Sequence, residues 1–302
     1  MSIRWRLFRV LKTWSRSLNS MLVSLVNVLD NALAKGYAVP CFNVFGYEDA
    51  RAVVAAAEQS SAPVIMATNH EMTEFMGAAQ AASMLGKVAQ AAKVPVCVHL
   101  DHCYEVDSVK AAVDAGYSSV MFDGSQLPLS ENIAKSAQVV EYAHAAGVSV
   151  EVEIGSVPYD SGRDHIKAEL TDPVQAQQLA LDSGADAVAI SVGNIHRLQS
   201  TSSRIDFDRL AEIEPVVEQP LVIHGTSGIR DEDMKTLAAR RVCKFNIGTT
   251  LRMAFGQSLR GHLQQNPDDF DRLTIMNGVM PAMTEEATRN IFLLGADGKA
   301  NN

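Results

Sequence analysis

Short apolar segments rich in β-branched residues alternate along this chain with longer segments of helical periodicity, such as residues 48–60 and 172–184. Glycine closes several of the helical segments, and proline opens several of the apolar ones. Because the apolar segments lack a polar face, the pattern predicts parallel strands covered by helices on both sides. The predicted strands are residues 37–43, 63–68, 94–100, 117–122, 148–154, 185–191, 220–224 and 242–247.

Eight strands, each followed by a helix, predict an α/β fold of the (β/α)₈ TIM-barrel type. A doubly wound open sheet is the alternative. The turn after the first predicted strand reads FNVFGYEDA and lacks the GxGxxG cradle of a dinucleotide-binding open sheet. We therefore expect one barrel domain over residues 21–302.

The chain begins with a basic segment. Residues 1–20 contain five basic residues and no acidic one, with apolar residues at helical spacing. This composition fits a helix on a membrane surface, but the segment lacks the apolar core of a secretory signal. We favour the interpretation that residues 1–20 are an extension outside the fold.

Charge and cysteine usage narrow the class of protein. The net charge is −9, and it is more negative over residues 21–302, which argues against nucleic acid or an anionic membrane as the main partner. No apolar run approaches the roughly twenty residues of a membrane span. The four cysteines (Cys41, Cys97, Cys103 and Cys243) form no CxxC pair, which predicts reduced thiols in a cytoplasmic protein.

Polar and ionisable residues collect at the ends of the predicted strands. In a barrel these ends share one mouth, where reactive groups gather. His102, His196 and His224 follow three different strands, and three neutral imidazoles with an open position are the ligands of a catalytic zinc ion. A single histidine at a strand end is more often a hydrogen-bonded structural residue than a ligand, so the interpretation depends on the three converging. The strand-end residues are Asn43, Asn69, Asp101, His102, Asp123, Glu151, Glu153, His196, His224 and Asn246.

Two neighbouring loops have the composition of a phosphate site. HGTSGI at residues 224–229 and NIGTTLR at 246–252 place small and hydroxyl residues directly after the last two predicted strands. Backbone N–H groups in such turns form an anion site at the start of a helix. Either loop alone fits a flexible turn, but the adjacent pair favours phosphate binding.

Several motifs together resemble the class II, metal-dependent ketose-bisphosphate aldolases, and the resemblance runs from about residue 21 to the C-terminal end. It implies a TIM barrel of carbohydrate metabolism that splits a phosphorylated ketose into glycerone phosphate and an aldehyde. It also implies a cytoplasmic homo-oligomer, a dimer or tetramer, with one Zn²⁺ per chain and a monovalent cation. The motifs are YAVPCFNV, HLDHC, SVMFDGSQLPLSENI, VEVEIG, SVGNIH, VIHGTSGI and KFNIGTTLRMAF.

The resemblance also assigns roles to residues. It implies that Asp101 is the catalytic acid–base group, that His102, His196 and His224 bind zinc, and that Glu153 holds the metal in an alternate position. Expected substrate- and phosphate-binding residues are Asn43, Gly225, Thr226, Ser227, Asn246, Ile247, Gly248 and Thr249.

Three positions depart from the family pattern. Arg197 replaces a glycine that lies against the substrate phosphate, and its side chain either grips an anionic group of the substrate or turns to solvent. The segment SVPYDSGRD, residues 156–164, replaces a mobile acidic loop and leaves Asp160 as the nearest candidate acid. Asn69 replaces a serine. These departures keep two alternatives open: a non-catalytic barrel that binds metal and phosphosugar as a partner subunit, and metal-dependent hydrolysis.

Overall fold

The computed structural model describes residues 20–160, 168–200 and 203–300. The strands in these residues are β1 (Leu22–Val23), β2 (Val39–Asn43), β3 (Val64–Thr68), β4 (Val96–Cys103), β5 (Ser119–Phe122), β6 (Ser149–Ile154), β7 (Ala187–Ile190), β8 (Leu221–Ile223) and β9 (Val242–Ile247). The helices are α1 (Leu25–Lys35), α2 (Tyr47–Gln59), α3 (His70–Met76), α4 (Ala78–Ala91), α5 (Val106–Ala115), α6 (Leu129–Ala145), α7 (Pro173–Ser183), α8 (Phe207–Ile213), α9 (Asp231–Ala238), α10 (Thr249–Gln265) and α11 (Arg272–Leu293).

Strands β2 to β9 form a closed parallel barrel. Each pairs in parallel with the next strand along the chain, and β9 returns to pair with β2. All eight predicted strands are present, and the predicted (β/α)₈ TIM-barrel fold is confirmed. Strands of this barrel are buried along nearly their whole length, which explains why they appear in sequence as continuous apolar runs.

The end of the barrel where the strands begin is covered by α1. This helix buries Leu25, Val28, Leu29 and Ala32 and packs against β2, β4, β6 and β9. Its first turn is held by a capping box at Ser24, and it ends at a glycine in the left-handed conformation. With this end closed by apolar packing, the opposite end is left for the polar side chains.

Three further sequence expectations concern the basic segment, membrane spans and the cysteines. The basic segment 1–20 lies outside the described residues except for Ser20. No helix in the described part of the chain is long and apolar enough to cross a membrane. All four cysteines are buried and free of disulfides, as predicted.

Charged groups occupy the centre of the barrel. Lys244 of β9 is fully buried, and its ammonium lies 2.8 Å from Oε2 of Glu151 on β6 and 2.6 Å from Oδ1 of Asn246. Glu151 is also fully buried. A buried ion pair contributes little net stability, but removing one partner leaves the other charge without compensation.

We therefore predict that Lys244→Met lowers the free energy of unfolding by about 3–5 kcal/mol, because the Glu151 carboxylate would lose its buried cation. Chemical denaturation followed by circular dichroism measures the change. The control is Lys87→Met, at an exposed position on α4, which should shift stability by less than about 0.5 kcal/mol. Equal stability of the two variants would show that the barrel centre does not depend on this ion pair.

Candidate active site

An irregularity at the end of β4 brings two consecutive side chains into the barrel mouth. Successive residues of a regular strand point to opposite faces. The pairing of β4 with β5 shifts register between Leu100 and Cys103, and His102 adopts a left-handed backbone conformation with φ of 44°. Both Asp101 and His102 consequently line the same cavity. The strand thus supplies a carboxylate and an imidazole to one site.

The three predicted histidines converge. One ring nitrogen from each of His102, His196 and His224 lies within 4.8 Å of the others, and Nε2 of His102 is 2.8 Å from Nδ1 of His224. The rings meet edge to face, with centroids 4.5–5.9 Å apart. The sequence prediction that separate strands deliver these imidazoles to one point therefore agrees with the geometry.

Carboxylates orient two of the three rings from behind. Nδ1 of His102 lies 2.9 Å from Oδ2 of Asp123, and Nε2 of His224 lies 2.9 Å from Oε1 of Glu151. These contacts leave the other nitrogen of each ring directed to the shared point. Metal-binding histidines typically have their second nitrogen held in this way.

The site carries an excess of buried negative charge. Burial raises the pKa of Glu153 well above its ordinary value, and the neighbouring Asp123 raises it further. Oε2 of Glu153 is buried without a hydrogen-bond partner, 3.8 Å from Nδ1 of His102 and 3.9 Å from Nδ1 of His224. An orphaned carboxylate oxygen beside imidazole nitrogens is a donor set suited to a divalent cation. Glu153 forms a second group of metal-ligating residue types with His102 and Asp123, whose ligand atoms lie within 4.8 Å of one another.

The neutral state of two of the rings also favours metal binding. Burial and the positive charge of His102 hold the pKa of His196 and that of His224 well below the ordinary value. Both rings are therefore neutral, as a metal ligand must be. Burial lowers the pKa of His102 too, but nearby anionic groups, Asp101 first, outweigh burial and raise that pKa.

Asp101 is held by two amides. Its Oδ2 accepts a hydrogen bond of 2.7 Å from Asn43, and its Oδ1 accepts one of 2.8 Å from Asn246. Burial would raise the pKa of Asp101, but the His102 and His224 imidazoles and Lys244 outweigh burial and lower it. The carboxylate is therefore ionised, fixed in position, and able to accept a proton at the cavity.

The two predicted phosphate loops lie side by side. Gly225, at φ of 64°, leads into a short 3₁₀ helix, Thr226–Gly228, and a Cβ on Gly225 would lie 2.6–2.9 Å from the backbone of Ile195 and His196. Oγ of Ser227 is buried without a hydrogen-bond partner. Thr249, the first residue of α10, lines the same cavity, and the first N–H groups of a helix have no partner within the helix. The cavity lining includes Gly225, Thr226, Ser227, Asn246, Gly248 and Thr249, whereas the side chain of Ile247 is buried in the core.

Arg197 lies at the rim of the cavity and is not simply directed into solvent. Its Nη2 pairs with Oε1 of Glu71 at 2.8 Å, and its guanidinium lies 5.3 Å from the centre of the Tyr159 ring. The Arg197 backbone has φ of 62°, a conformation in which glycine is favoured. The side chain therefore adds positive charge to the mouth at some conformational cost.

Among the described residues of segment 156–164, the aromatic side chain rather than the acid reaches the cavity. Tyr159 lines the cavity and stacks on His196, with ring centroids 4.4 Å apart and planes 20° apart. The predicted loop acid Asp160 is exposed and absent from the described lining. The structure does not place its carboxylate at the site.

Sequence reasoning missed several residues of the site. Glu71 and Arg252 line the mouth, but they lie inside helical segments and carried no strand-end signal. Tyr159 lies in an irregular segment with no pattern. Lys244 could have been found, because it alternates with Asn246 along the last predicted strand and must share its face.

The model of the class II fructose-bisphosphate aldolase family matches residues 23–299 of this chain. The chain belongs to that family. This class II aldolase is similar to the YdjI aldolase from Escherichia coli K12, at 31% identity over 92% of this chain and 99% of that chain, with a TM-score of 0.79. It shares its fold with the fructose-bisphosphate aldolase from Campylobacter jejuni, at 24% identity over 93% of this chain and 98% of that chain, with a TM-score of 0.81.

Membership agrees with the resemblance seen in the sequence motifs. The matched region, residues 23–299, covers all eight barrel strands and both phosphate-loop motifs. It excludes the basic segment at the start of the chain. The class II aldolase family supports carbon–carbon lyase activity for this barrel.

Proposed function

We propose that this class II aldolase is a zinc enzyme that reversibly cleaves a phosphorylated ketose to glycerone phosphate and an aldehyde. The observation that carries the proposal is one cavity lined by His102, His196, the ionised Asp101 and the two small-residue loops, with the His224 imidazole buried against His102. Each part corresponds to one need of the reaction: charge stabilisation, proton transfer and substrate anchoring. Cytoplasmic location and homo-oligomeric assembly remain predictions from the family resemblance.

His102, His196 and His224 would hold the metal, with Glu153 available as a ligand in an alternate position. A bound divalent ion supplies Lewis acidity that stabilises the negative charge formed when the carbon–carbon bond beside the ketone breaks. Asp123 and Glu151 fix the ring orientations of His102 and His224. Three imidazole ligands are typical of catalytic zinc, which supports zinc over magnesium or calcium.

Asp101 takes the proton of the hydroxyl on the carbon that becomes the aldehyde. Its lowered pKa keeps it ionised, and the Asn43 and Asn246 amides keep both oxygens aligned. In the condensation direction the same carboxyl group returns the proton. Gly225 to Ser227 and Gly248 to Thr249 bind the phosphate of glycerone phosphate through backbone N–H groups and the Ser227 hydroxyl.

A non-catalytic partner subunit is the second candidate function. The altered segment 156–164 and Arg197 favour it, because both change positions that face the substrate. The position of Asp101, with Oδ1 3.9 Å from Nε2 of His102, favours catalysis. A screen of phosphorylated ketoses for aldehyde release, with and without a chelator, separates the two candidates and also detects hydrolysis.

We predict that the purified protein contains close to one divalent ion per chain, and that alanine at His102, His196 or His224 removes it, because each variant loses one of three ligands. Elemental analysis by mass spectrometry measures the metal. The control is His144→Ala, whose ring pairs with Asp186 away from the cavity and should leave metal content unchanged. Full metal content in all three ligand variants would disprove the site.

Asp101→Asn should retain the fold and the metal while reducing turnover by the roughly 10²–10⁴-fold typical of losing a general acid–base group. The asparagine keeps the size of the side chain but cannot accept the proton. Steady-state kinetics and elemental analysis measure the two effects. Asp107→Asn, at an exposed position on α5, is the matched control. Unchanged turnover would mean that another group moves the proton.

Arg197 is proposed to bind an anionic group on the aldehyde end of the substrate. This group would take the place of the Glu71 carboxylate as the partner of the guanidinium. Arg197→Gly should then weaken transition-state binding by about 1.5–3 kcal/mol, the value of a charge-assisted hydrogen bond, measured as kcat/KM. Fructose and tagatose bisphosphates should be poor substrates of the unmodified enzyme. Arg230→Gly, whose exposed side chain pairs with Asp233, serves as control. This role would be contradicted if the unmodified enzyme cleaved either bisphosphate efficiently and Arg197→Gly left kcat/KM unchanged.

A further inference from the structure

Aldol cleavage requires a second proton transfer that Asp101 does not perform. When the carbon–carbon bond breaks, glycerone phosphate is left as an enediolate, and one of its carbons must then gain a proton. Asp101 handles the hydroxyl proton at the other carbon and lies against His102, between the amides of Asn43 and Asn246. The segment that supplies an acid for this step in the family pattern reads SVPYDSGRD here.

We propose that the Tyr159 hydroxyl protonates this carbon, an assignment that rests on the proposed aldolase function. In the cleavage direction the phenol O–H bond breaks and a C–H bond forms on the enediolate, which leaves a phenolate. Asp101 releases the proton that it took to water at the mouth, and water returns a proton to the phenolate, so the cycle involves no net change in protons. In the condensation direction the phenolate removes the same proton from glycerone phosphate.

The position of Tyr159 is fixed by backbone pairing. Residues 158–160 form a parallel bridge with His196: the His196 N–H donates to the Pro158 carbonyl at 2.8 Å, and the Asp160 N–H donates to the His196 carbonyl at 3.0 Å. The ring stacks on the His196 imidazole and lies beneath the Arg197 guanidinium. The side chain is half-buried in the cavity that also contains Asp101. A proton donor is thus held beside a proposed metal ligand.

The other proton carriers at the described mouth are less suited to this step. Glu71 is paired with Arg197 and accepts a hydrogen bond from Asn69. The His70 ring is exposed, with Nε2 3.3 Å from Glu74. Asp160 is exposed and does not line the described cavity. Tyr159 is the remaining group whose side chain lies against the imidazole cluster.

The test separates the two proton transfers. The unmodified metal-loaded enzyme is incubated with glycerone phosphate in D₂O, and loss of the exchangeable C–H signal is followed by proton NMR. Tyr159→Phe keeps the ring on His196 and should slow this exchange by about 10²–10⁴-fold, the effect of losing a general acid–base group. Its carbon–carbon cleavage should persist when an added oxidant, ferricyanide, consumes the enediolate. Asp101→Asn should show the reverse pattern, with exchange retained and cleavage lost.

Control variants isolate the hydroxyl. Tyr142→Phe removes a surface hydroxyl bonded to Asp114 and should not alter exchange, and neither should Asp160→Asn or Asp164→Asn, the latter at a position outside the described residues. Metal content and thermal unfolding of Tyr159→Phe should match the unmodified protein. If the ring served only for packing, removing its hydroxyl in Tyr159→Phe would leave exchange unchanged, because the stacking on His196 is retained.

The outcomes distinguish this assignment from the function on which it rests. Wild-type exchange with an unaffected Tyr159→Phe variant, or exchange abolished by Asp160→Asn or Asp164→Asn, would overturn the role of Tyr159 and leave the aldolase function intact. A wild-type enzyme that neither cleaves any phosphorylated ketose nor exchanges glycerone phosphate would overturn the function, and the assignment with it. Selective loss of exchange in Tyr159→Phe, with cleavage retained in the presence of ferricyanide, supports both.

Discussion

The buried carboxylate of Glu151 connects the core of this barrel to its site. One oxygen lies against the ammonium of Lys244, and the other lies 2.9 Å from Nε2 of His224. Charges this deep are costly unless each has a partner, so the arrangement tolerates little movement. Because Nε2 is held by the carboxylate, Nδ1 of His224 is the nitrogen directed to His102, whose Nε2 lies 2.8 Å away. The orientation of a proposed metal ligand is thus set by an ion pair in the centre of the protein.

Lys244 extends the same constraint to the proton-transfer group. Its ammonium also contacts Oδ1 of Asn246, and the amide nitrogen of Asn246 donates to Asp101. That contact leaves the Asn246 side chain only one orientation in which both bonds form. A continuous chain of buried contacts therefore runs from Glu151 through Lys244 and Asn246 to Asp101. Metal binding and proton transfer, as proposed, would share one rigid support.

The parts of the site differ in how firmly the fold holds them. Asp101, His102 and His224 lie on or directly after barrel strands, with buried partners behind them. Arg197 and Tyr159 lie on connecting segments at the rim, outside the strands and helices. Strand ends thus supply the chemistry common to the fold, whereas the rim is free to change with the substrate. The pairing of Tyr159 with His196 shows that a rim residue can nonetheless be held close to the strand-borne groups.

The amino-acid sequence by itself determined the barrel, since eight apolar runs separated by helical periodicity fit a closed parallel sheet, and it identified the strand-end residues. It could also assign Asp101, His102, His196 and His224 to one mouth, because parallel strands end together. Only the tertiary structure decided how both Asp101 and His102 face inward, since alternation along a strand predicts opposite faces and the register shift depends on pairing with β5. Likewise, Tyr159 lines the cavity and the predicted Asp160 does not. This follows from backbone hydrogen bonds of the segment 158–160 to His196, which lies 36 residues after Asp160. The local sequence pattern predicts which face of a strand or helix a residue occupies. For a residue outside regular secondary structure, contacts between segments distant in sequence determine the direction of its side chain.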